Sequence, residues 1–340
     1  MSFPLLHVTD LVFEEIVNQM ELNEIFSLSL CSRYTCDVVK CHLRKSIKYP
    51  LYVDAKLENV LSVGFISNDG PVVIMSIEDF DRWDGTRLEE VNIGGCKTRI
   101  AKNGNHCVML HSSTGKMHDC FEIVMEYTKD LFHVEIDSLY CMEPWTIEFV
   151  RSRQKAPLRM TYVTDTNCDF RGVTIFSIVA NGKTGGLQFD SKFPEDNVLP
   201  VFNGSYQYLR FKHGRCEIFD IILIAAQNNR EAIFDEADVS SRDISRFYKL
   251  WSEDDDYSRL KLLLVRVNDY NEEATLSRVQ NLVAIRPQRV IYGSYSLEKH
   301  CLNPGLFLIR SDGVAAGIYY DPSTRILRFC RLSGFELEFF

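Results

Sequence analysis

Residues 3–39 read FPLLHVTDLVFEEIVNQMELNEIFSLSLCSRYTCDVV. From residue 10 the apolar positions recur at helical spacing, and Leu11, Val12, Ile16, Val17 and Met20 fall on one stripe. Thr9 is placed to cap this helix, with Asp10 and Glu14 at its positive dipole end. Asn23 is placed to cap a second short helix carrying Ile25, Phe26, Leu28, Leu30 and Cys31, and Ser32 a third with Val38, Val39 and Leu43. Phe3-Pro4-Leu5-Leu6 is apolar and, because of its proline, extended. Three helices this short bury little by themselves. Their apolar face needs either a partner or the rest of the chain.

Beyond them, residues 48–112 read as short strands: Leu51–Val53, Leu61–Phe65, Val72–Met75 and Cys107–Leu110. Asn68-Asp69-Gly70-Pro71 turns between two of these, and Gly94-Gly95 and Asn103-Gly104-Asn105 punctuate later ones, which predicts a small antiparallel sheet. From residue 118 the rhythm lengthens. Apolar strands begin near residues 132, 158, 187, 209, 233 and 260, one every 22–29 residues. Helical stretches lie between several of them, at 145–151, 173–180, 218–226 and 243–251. A strand and a helix at that period is the signature of a leucine-rich-repeat-like solenoid, here without the regular motif's Asn or Cys. Leu306–Ile309, Ser311-Asp312-Gly313 and Val314–Tyr319 predict a hairpin, and Asp321-Pro322-Ser323 turns again into Ile326–Phe329. The expected class is α/β (α+β): a helical segment at 1–45, a mostly β segment at 46–117, and an irregular β/α solenoid ending in a hairpin at 118–340.

Composition narrows the function. The 340 residues are 46 % hydrophobic and 25 % charged, as in an ordinary globular protein. Thirty-eight basic against 47 acidic residues give a net charge of −9, which disfavours broad binding to nucleic acid or anionic lipid. The first seventeen residues lack a positive n-region, and His7, Asp10, Glu14 and Glu15 break their apolar run, so neither a signal peptide nor a membrane span is expected. Eleven scattered cysteines without a secretory signal suggest reduced thiols and an intracellular chain, cytoplasmic or nuclear.

The motifs of catalysis do not assemble. Cys31, Cys36, Cys41 and His42 are the densest group of metal-ligating types, but spacings of five scatter the thiols around a helix. His106 and Cys107 are adjacent and point to opposite faces of a strand, which prevents a base–nucleophile pair. Gly94-Gly95 and Lys183-Thr184-Gly185-Gly186 lack phosphate-loop spacing and read as turn glycines. No cofactor, metal or catalytic residue is expected.

The N-terminal stretch quoted above resembles the F-box in the form typical of a large nematode family. Phe3, Pro4, Leu5, Leu6, Leu11, Val12, Ile16, Ile25, Leu28, Leu30, Cys31, Ser32 and Arg33 fall where that motif has its recurrent residues. It departs at Val8-Thr9, where the general motif has Leu-Pro, and at Thr35, where it often has Trp. Asp243, Phe247, Lys249 and Trp251, followed by Arg259-Leu260 entering a strand, resemble the type 2 F-box-associated domain, with Ser245 for the usual Asn and Asp254 for the usual Gly. Arg310-Ser311-Asp312-Gly313 is similar to that family's closing hairpin.

The resemblance implies a non-catalytic substrate-recognition subunit of a Skp–cullin–F-box ubiquitin ligase. Phe3, Pro4, Leu5, Leu6, Leu11, Val12, Ile16, Ile25, Leu28 and Leu30 would bind the Skp adaptor, and cullin through it. A protein target would lie on the strand face of the solenoid. Alternation along those strands makes His133, Glu135, Arg159, Thr161, Gln188, Asp190, Arg210, Lys212 and Lys261 the outward set. The competing expectations are an interaction scaffold whose F-box engages no ligase, for which Thr9 speaks, and an enzyme hidden in the solenoid.

Overall fold

The structure, a computed structural model, describes residues 8–43, 49–57, 60–67, 70–79, 88–104, 106–111, 117–141, 144–164, 184–190, 204–212, 219–277, 279, 282–284, 290–302, 306–332 and 337–339. It is mixed α/β and divides into two compact units, Met1–Ala156 and Pro157–Phe340.

The first unit opens with α1 (Asp10–Gln19), α2 (Leu22–Ser29) and α3 (Arg33–His42). Thr9 stands at the N-cap of α1, but its side chain makes no capping hydrogen bond. α2 is capped by Glu21 in a capping box with Glu24, so Asn23 lies inside the helix and not ahead of it. Ser32 caps α3 as expected, accepting from the Thr35 N–H at 3.0 Å. Seven strands follow: β1 (Leu51–Leu57), β2 (Val60–Ser67), β3 (Gly70–Asp79), β4 (Glu89–Ile93), β5 (Cys96–Asn103), β6 (His106–His111) and, after α4 (Met117–Phe132), β7 (Ile136–Cys141); α5 (Pro144–Arg153) closes the unit. Their order is β7-β1-β2-β3-β6-β5-β4. The expected antiparallel sheet therefore carries two parallel joints, β1 with β7 and β3 with β6. Gly94 and Gly95, both at positive φ, form the tight turn from β4 to β5.

α4 replaces part of an expected strand. Phe121, Val124, Met125, Thr128, Leu131 and Phe132 are buried at helical spacing, and His133 closes the helix in the left-handed region at φ 54°. The strand starts only at Ile136, so His133 and Glu135 sit in a turn and not on a strand face. Helix and sheet are joined by Phe132, which meets the edge of Phe65 at 5.0 Å.

In the second unit β8 (Leu158–Val163), β9 (Thr184–Phe189), β10 (Tyr208–Phe211), β11 (Glu231–Val239) and β12 (Leu262–Val267) lie side by side in chain order, all parallel. α6 (Phe219–Asn228) precedes β11 and α7 (Ser241–Glu253) precedes β12. Short α8 (Glu272–Leu276) and β13 (Leu282–Ala284) come next in the chain. A small sheet is built from β14 (Val290–Gly293), β15 (Lys299–Leu302) and β19 (Leu337–Phe339). Beyond β12 the main sheet turns antiparallel through β18 (Ile326–Arg331), β17 (Ala315–Asp321), β16 (Leu306–Ile309) and β13. Both expected C-terminal turns are present, and Gly313 at φ 84° supplies the left-handed step of the first.

The parallel strands are covered on both faces. On one, Phe189, Phe211 and Phe234 stack in a ladder, with centroids 5.0 and 5.5 Å apart. Phe329 shares that face and receives the edges of Phe247 and Trp251 from α7. On the other, Met160, Tyr208, Ile233, Leu262 and Leu264 form one core with Tyr292 and Leu302 of the small sheet. A sheet covered twice has no free alternation to expose. Thr161 is accordingly 1 % exposed and Gln188 4 %, where alternation had placed them outward. Gly185 and Gly186 are strand residues and not turn glycines: a Cβ there would fall 2.2 Å from the Tyr295 hydroxyl and the Met160 sulfur.

Candidate functional site

The sequence-predicted target residues separate in space. His133 and Glu135 belong to the first unit, in the turn after α4. Thr161 is buried beside Thr184, its hydroxyl 3.2 Å away. Arg159 donates to the Tyr295 carbonyl at 3.1 Å and so holds the loop between β14 and β15. Lys261 precedes β12, its N–H on the Arg230 carbonyl at 2.7 Å, at the amino end of the strands. Arg210 and Lys212 are the two basic residues that the fold brings together, with Asp190 beside Lys212.

Those two stand at the carboxyl ends of the parallel strands, where open parallel sheets place their ligand clefts. The phenylalanine ladder explains why. Phe189, Phe211 and Phe234 pair across β9, β10 and β11, with Val265 next on β12. One residue further, on the other face, each strand carries a charge: Asp190, Lys212, Asp235 and Arg266. The signs alternate from strand to strand, the arrangement in which cross-strand neighbours attract. Lys212 reaches Asp190 at 3.2 Å. Asp235 accepts from Arg210 Nε at 2.8 Å, and the same guanidinium holds both carboxylate oxygens of Glu298 at 2.8 and 3.0 Å. Burial works against the Arg210 charge, but the Asp235 hydrogen bond and the neighbouring carboxylates outweigh it and hold the guanidinium protonated.

Around this row lies a cleft of about 700 Å³ lined by Lys212, Asp235, Glu236, Arg266, Asn268 and the turn Ser323–Ile326. That volume is in the range of small-ligand and peptide-side-chain pockets. The turn is rigid. Asp321 accepts from the Ser323 N–H at 3.0 Å and the Ser323 hydroxyl at 2.6 Å, bonds that hold its carboxyl down at about 2. Arg325 takes the left-handed region at φ 56°, and its carbonyl accepts from the Val267 N–H at 2.9 Å, tying the turn to the end of β12. Arg266 and Arg325 are exposed and have no ion-pair partner among the described residues. The cleft thus offers two free guanidinium groups beside fixed ion pairs, a surface for a polar group that carries negative charge. The sequence marked it by Phe-Asp, Phe-Lys, Phe-Asp and Val-Arg in four neighbouring strands, a repeat visible only once the strands are in register.

The predicted adaptor residues divide differently. Phe3, Pro4, Leu5 and Leu6 lie outside the described residues. Ile25 and Leu30 are buried with Phe26, Cys36 and Val39, and Ile16 and Leu28 are half-buried. α2 packs on β3 and β6, and α3 on α4, where the Tyr127 hydroxyl donates to Ser29 Oγ at 2.8 Å and lies 3.4 Å from Cys36 Sγ. α1 turns Phe13 and Val17 inward and leaves Leu11 79 % and Val12 47 % exposed. Beside them a groove of about 530 Å³ runs between α1 and α3, lined by Val8, Phe13, Tyr34, Val38 and His42 among others. Cys31 and Cys41 are exposed free thiols, and among the described residues no group of three or more His, Cys, Asp or Glu is placed to hold a metal ion. No helix among the described residues is long and apolar enough to cross a membrane.

Comparison with protein-family models, curated proteins and solved structures gives no match to this chain.

Proposed function

We propose that the chain is the substrate-recognition subunit of a Skp–cullin–F-box ubiquitin ligase, docking the adaptor on α1–α3 and a target protein on the strand-end cleft of the second unit. The observation that carries this is the split face of α1. One side enters the core of its unit, while Leu11 and Val12, which match the F-box pattern, remain uncovered. The in-register strands β8–β12 and their phenylalanine ladder support the finer description of 158–267 as an irregular leucine-rich-repeat-like run, each strand stacked on the last. Function in such a subunit is proximity. The chain raises the local concentration of a target beside the charged ubiquitin carrier and supplies no acid, base or nucleophile. It would act inside the cell, in cytoplasm or nucleus.

A second function, an interaction scaffold that engages no ligase, draws on Thr9, which stands in the motif's proline position and makes no capping bond. Co-purification with the Skp adaptor and cullin decides between them. Burying a leucine-sized side chain contributes ~1.5–3 kcal/mol, so Leu11→Asp with Val12→Asp should weaken adaptor binding by about a hundredfold or more. Both residues are exposed, and the variant should melt where the parent does. Absence of the adaptor from the parent complex leaves the scaffold; undiminished binding by the double variant removes α1 as the docking surface.

A further inference from the structure

The outer face of α7 carries a second charged surface that neither the adaptor nor the strand-end cleft uses. α7 is oriented without ambiguity. Ile244, Phe247, Tyr248 and Trp251 are buried on its inner side, and Ser240 and Asp243 close its start in a capping box. That orientation forces Arg242, Arg246 and Lys249 onto the solvent side. At a rise of ~1.5 Å per residue, the three cations span roughly 10 Å along one line of the helix.

They line a groove of about 940 Å³ whose other wall is formed by Ala274 and Ser277 at the end of α8, with Ser245 at the base. The two walls are tied together. Ser241 Oγ donates to the Asp269 carbonyl at 2.8 Å and accepts from the Asn271 N–H at 2.7 Å, and Asn271 caps α8 by accepting from the Ala274 N–H at 2.9 Å. The groove is therefore set before anything enters it, which lowers the ordering cost of binding.

Its charge is one-sided. Among the described residues Asp243 is the only carboxylate in the lining, and it is committed to Ser240, accepting from its N–H at 3.1 Å and its hydroxyl at 2.6 Å. Arg242 and Lys249 have no ion-pair partner among the described residues. Arg246 pairs with Asp220 at 3.0 Å, but both side chains are more than half exposed, and a pair of that kind exchanges readily for another anion. In a chain of net charge −9, three aligned cations, two of them without an ion-pair partner among the described residues, are a local inversion of the surface field.

We infer that this groove docks an acidic protein segment, in extended form, with carboxylates opposite Arg242, Arg246 and Lys249. Alternate residues of an extended segment project the same way about 6.6 Å apart, so four or five residues cover the line of cations. A nucleic acid fits less well, because the remainder of the surface repels a polyanion longer than the groove. The site is separate from α1, and Leu11→Asp with Val12→Asp should leave it intact whether or not the adaptor binds.

The test uses the full chain with a fluorescent hexaglutamate peptide, a hexalysine peptide and a single-stranded hexanucleotide. Hexaglutamate should saturate below about 1 mM and weaken severalfold as salt rises from about 50 to 300 mM. Arg242→Glu, Arg246→Glu and Lys249→Glu together should reduce its affinity at least tenfold and create binding of hexalysine. If the triple reversal unfolds the chain, Arg242→Gln with Lys249→Gln, which breaks no pair seen among the described residues, should still reduce affinity severalfold. Failure of hexaglutamate to saturate, equal affinity in parent and reversed chains, or tighter binding of the hexanucleotide overturns the inference.

Discussion

Glu231 is the most deeply committed carboxylate among the described residues. Only 1 % of it is exposed, yet it accepts from the Tyr292 hydroxyl at 2.9 Å, from the Tyr295 N–H at 3.0 Å and from the Ser294 hydroxyl. These bonds lock the start of β11 to β14 and the turn after it. Burial pushes its pKa up, against the pull of the three donors and nearby Arg230. Between the ordinary carboxyl value and the raised one, the native chain holds more proton than the unfolded chain. The Glu231 contribution to stability is therefore full below the ordinary value, ~4.3, and is lost as pH rises through the raised one. Asp312 runs the other way: Arg310 and the Val314 N–H hold it down at about 2, so its contribution is present above the ordinary range and lost in acid. The parent's pH profile mixes both. The difference between parent and Glu231→Gln isolates the first, because the amide keeps an acceptor and cannot ionise. Urea unfolding from pH 4 to 8 should show the parent losing stability relative to the variant as pH rises. A difference that stays flat would show that Glu231 keeps its ordinary value.

At the scale of elements, the phenylalanine ladder fixes the register that builds the cleft. Phe211 is its middle rung, stacked on Phe189 and Phe234 at interplanar angles of 6° and 18°. Phe211→Ala should cost about 3–5 kcal/mol, from lost burial and the cavity left in a packed face. Phe211→Leu keeps most of the volume and loses chiefly the ring contacts, about 0.5–1.5 kcal/mol. Urea unfolding separates them; equal losses would mean that stacking, not volume, sets the cost. Ser240→Ala should cost about 1 kcal/mol, since it removes the oxygen that accepts from the Asp243 N–H. What was legible in the sequence follows the range of the forces involved. Local signals held: the helix starts at Ser32 and Ser240, the Asp312-Gly313 turn, and the strands expected near 158, 187, 209, 233 and 260, which start at 158, 184, 208, 231 and 262. Asn23 failed as a cap because the Glu21–Glu24 box starts the helix two residues earlier. The strand assigned at 132 failed because Phe121, Val124 and Leu131 continue a helical stripe through Phe132. Thr161 and Gln188 failed for a reason no single strand reveals: Thr161 shares the face of Leu187 and the phenylalanine ladder, and Gln188 the face whose core includes a small sheet formed by residues 290–302 and 337–339. Of the charged row and its cleft, Asp190, Arg210 and Lys212 were visible in the sequence, whereas Asp235, Arg266 and Arg325 join them only through strand pairings distant along the chain.

For the whole molecule, the proposed function requires two surfaces that work on different partners. One is Leu11 and Val12 on α1, in the first compact unit; the other is the cleft with Arg266 and Arg325, in the second. The two sets share no described partner, and each set is exposed, so changing one should not disturb the packing that supports the other. Effects at independent sites add to within ~0.3–0.5 kcal/mol. Leu11→Asp with Val12→Asp should therefore abolish co-purification with the Skp adaptor while leaving intact the proteins captured when proteasomes are blocked. Arg266→Glu with Arg325→Glu should do the reverse: adaptor and cullin retained, captured proteins lost, melting temperature unchanged within about 2 °C. The quadruple variant should show both losses and no further change in stability. Capture that survives reversal of both arginines would move target recognition away from the strand ends. Loss of adaptor and target together in a folded single-surface variant would mean that one surface serves both, and the division of labour between the two units would fall.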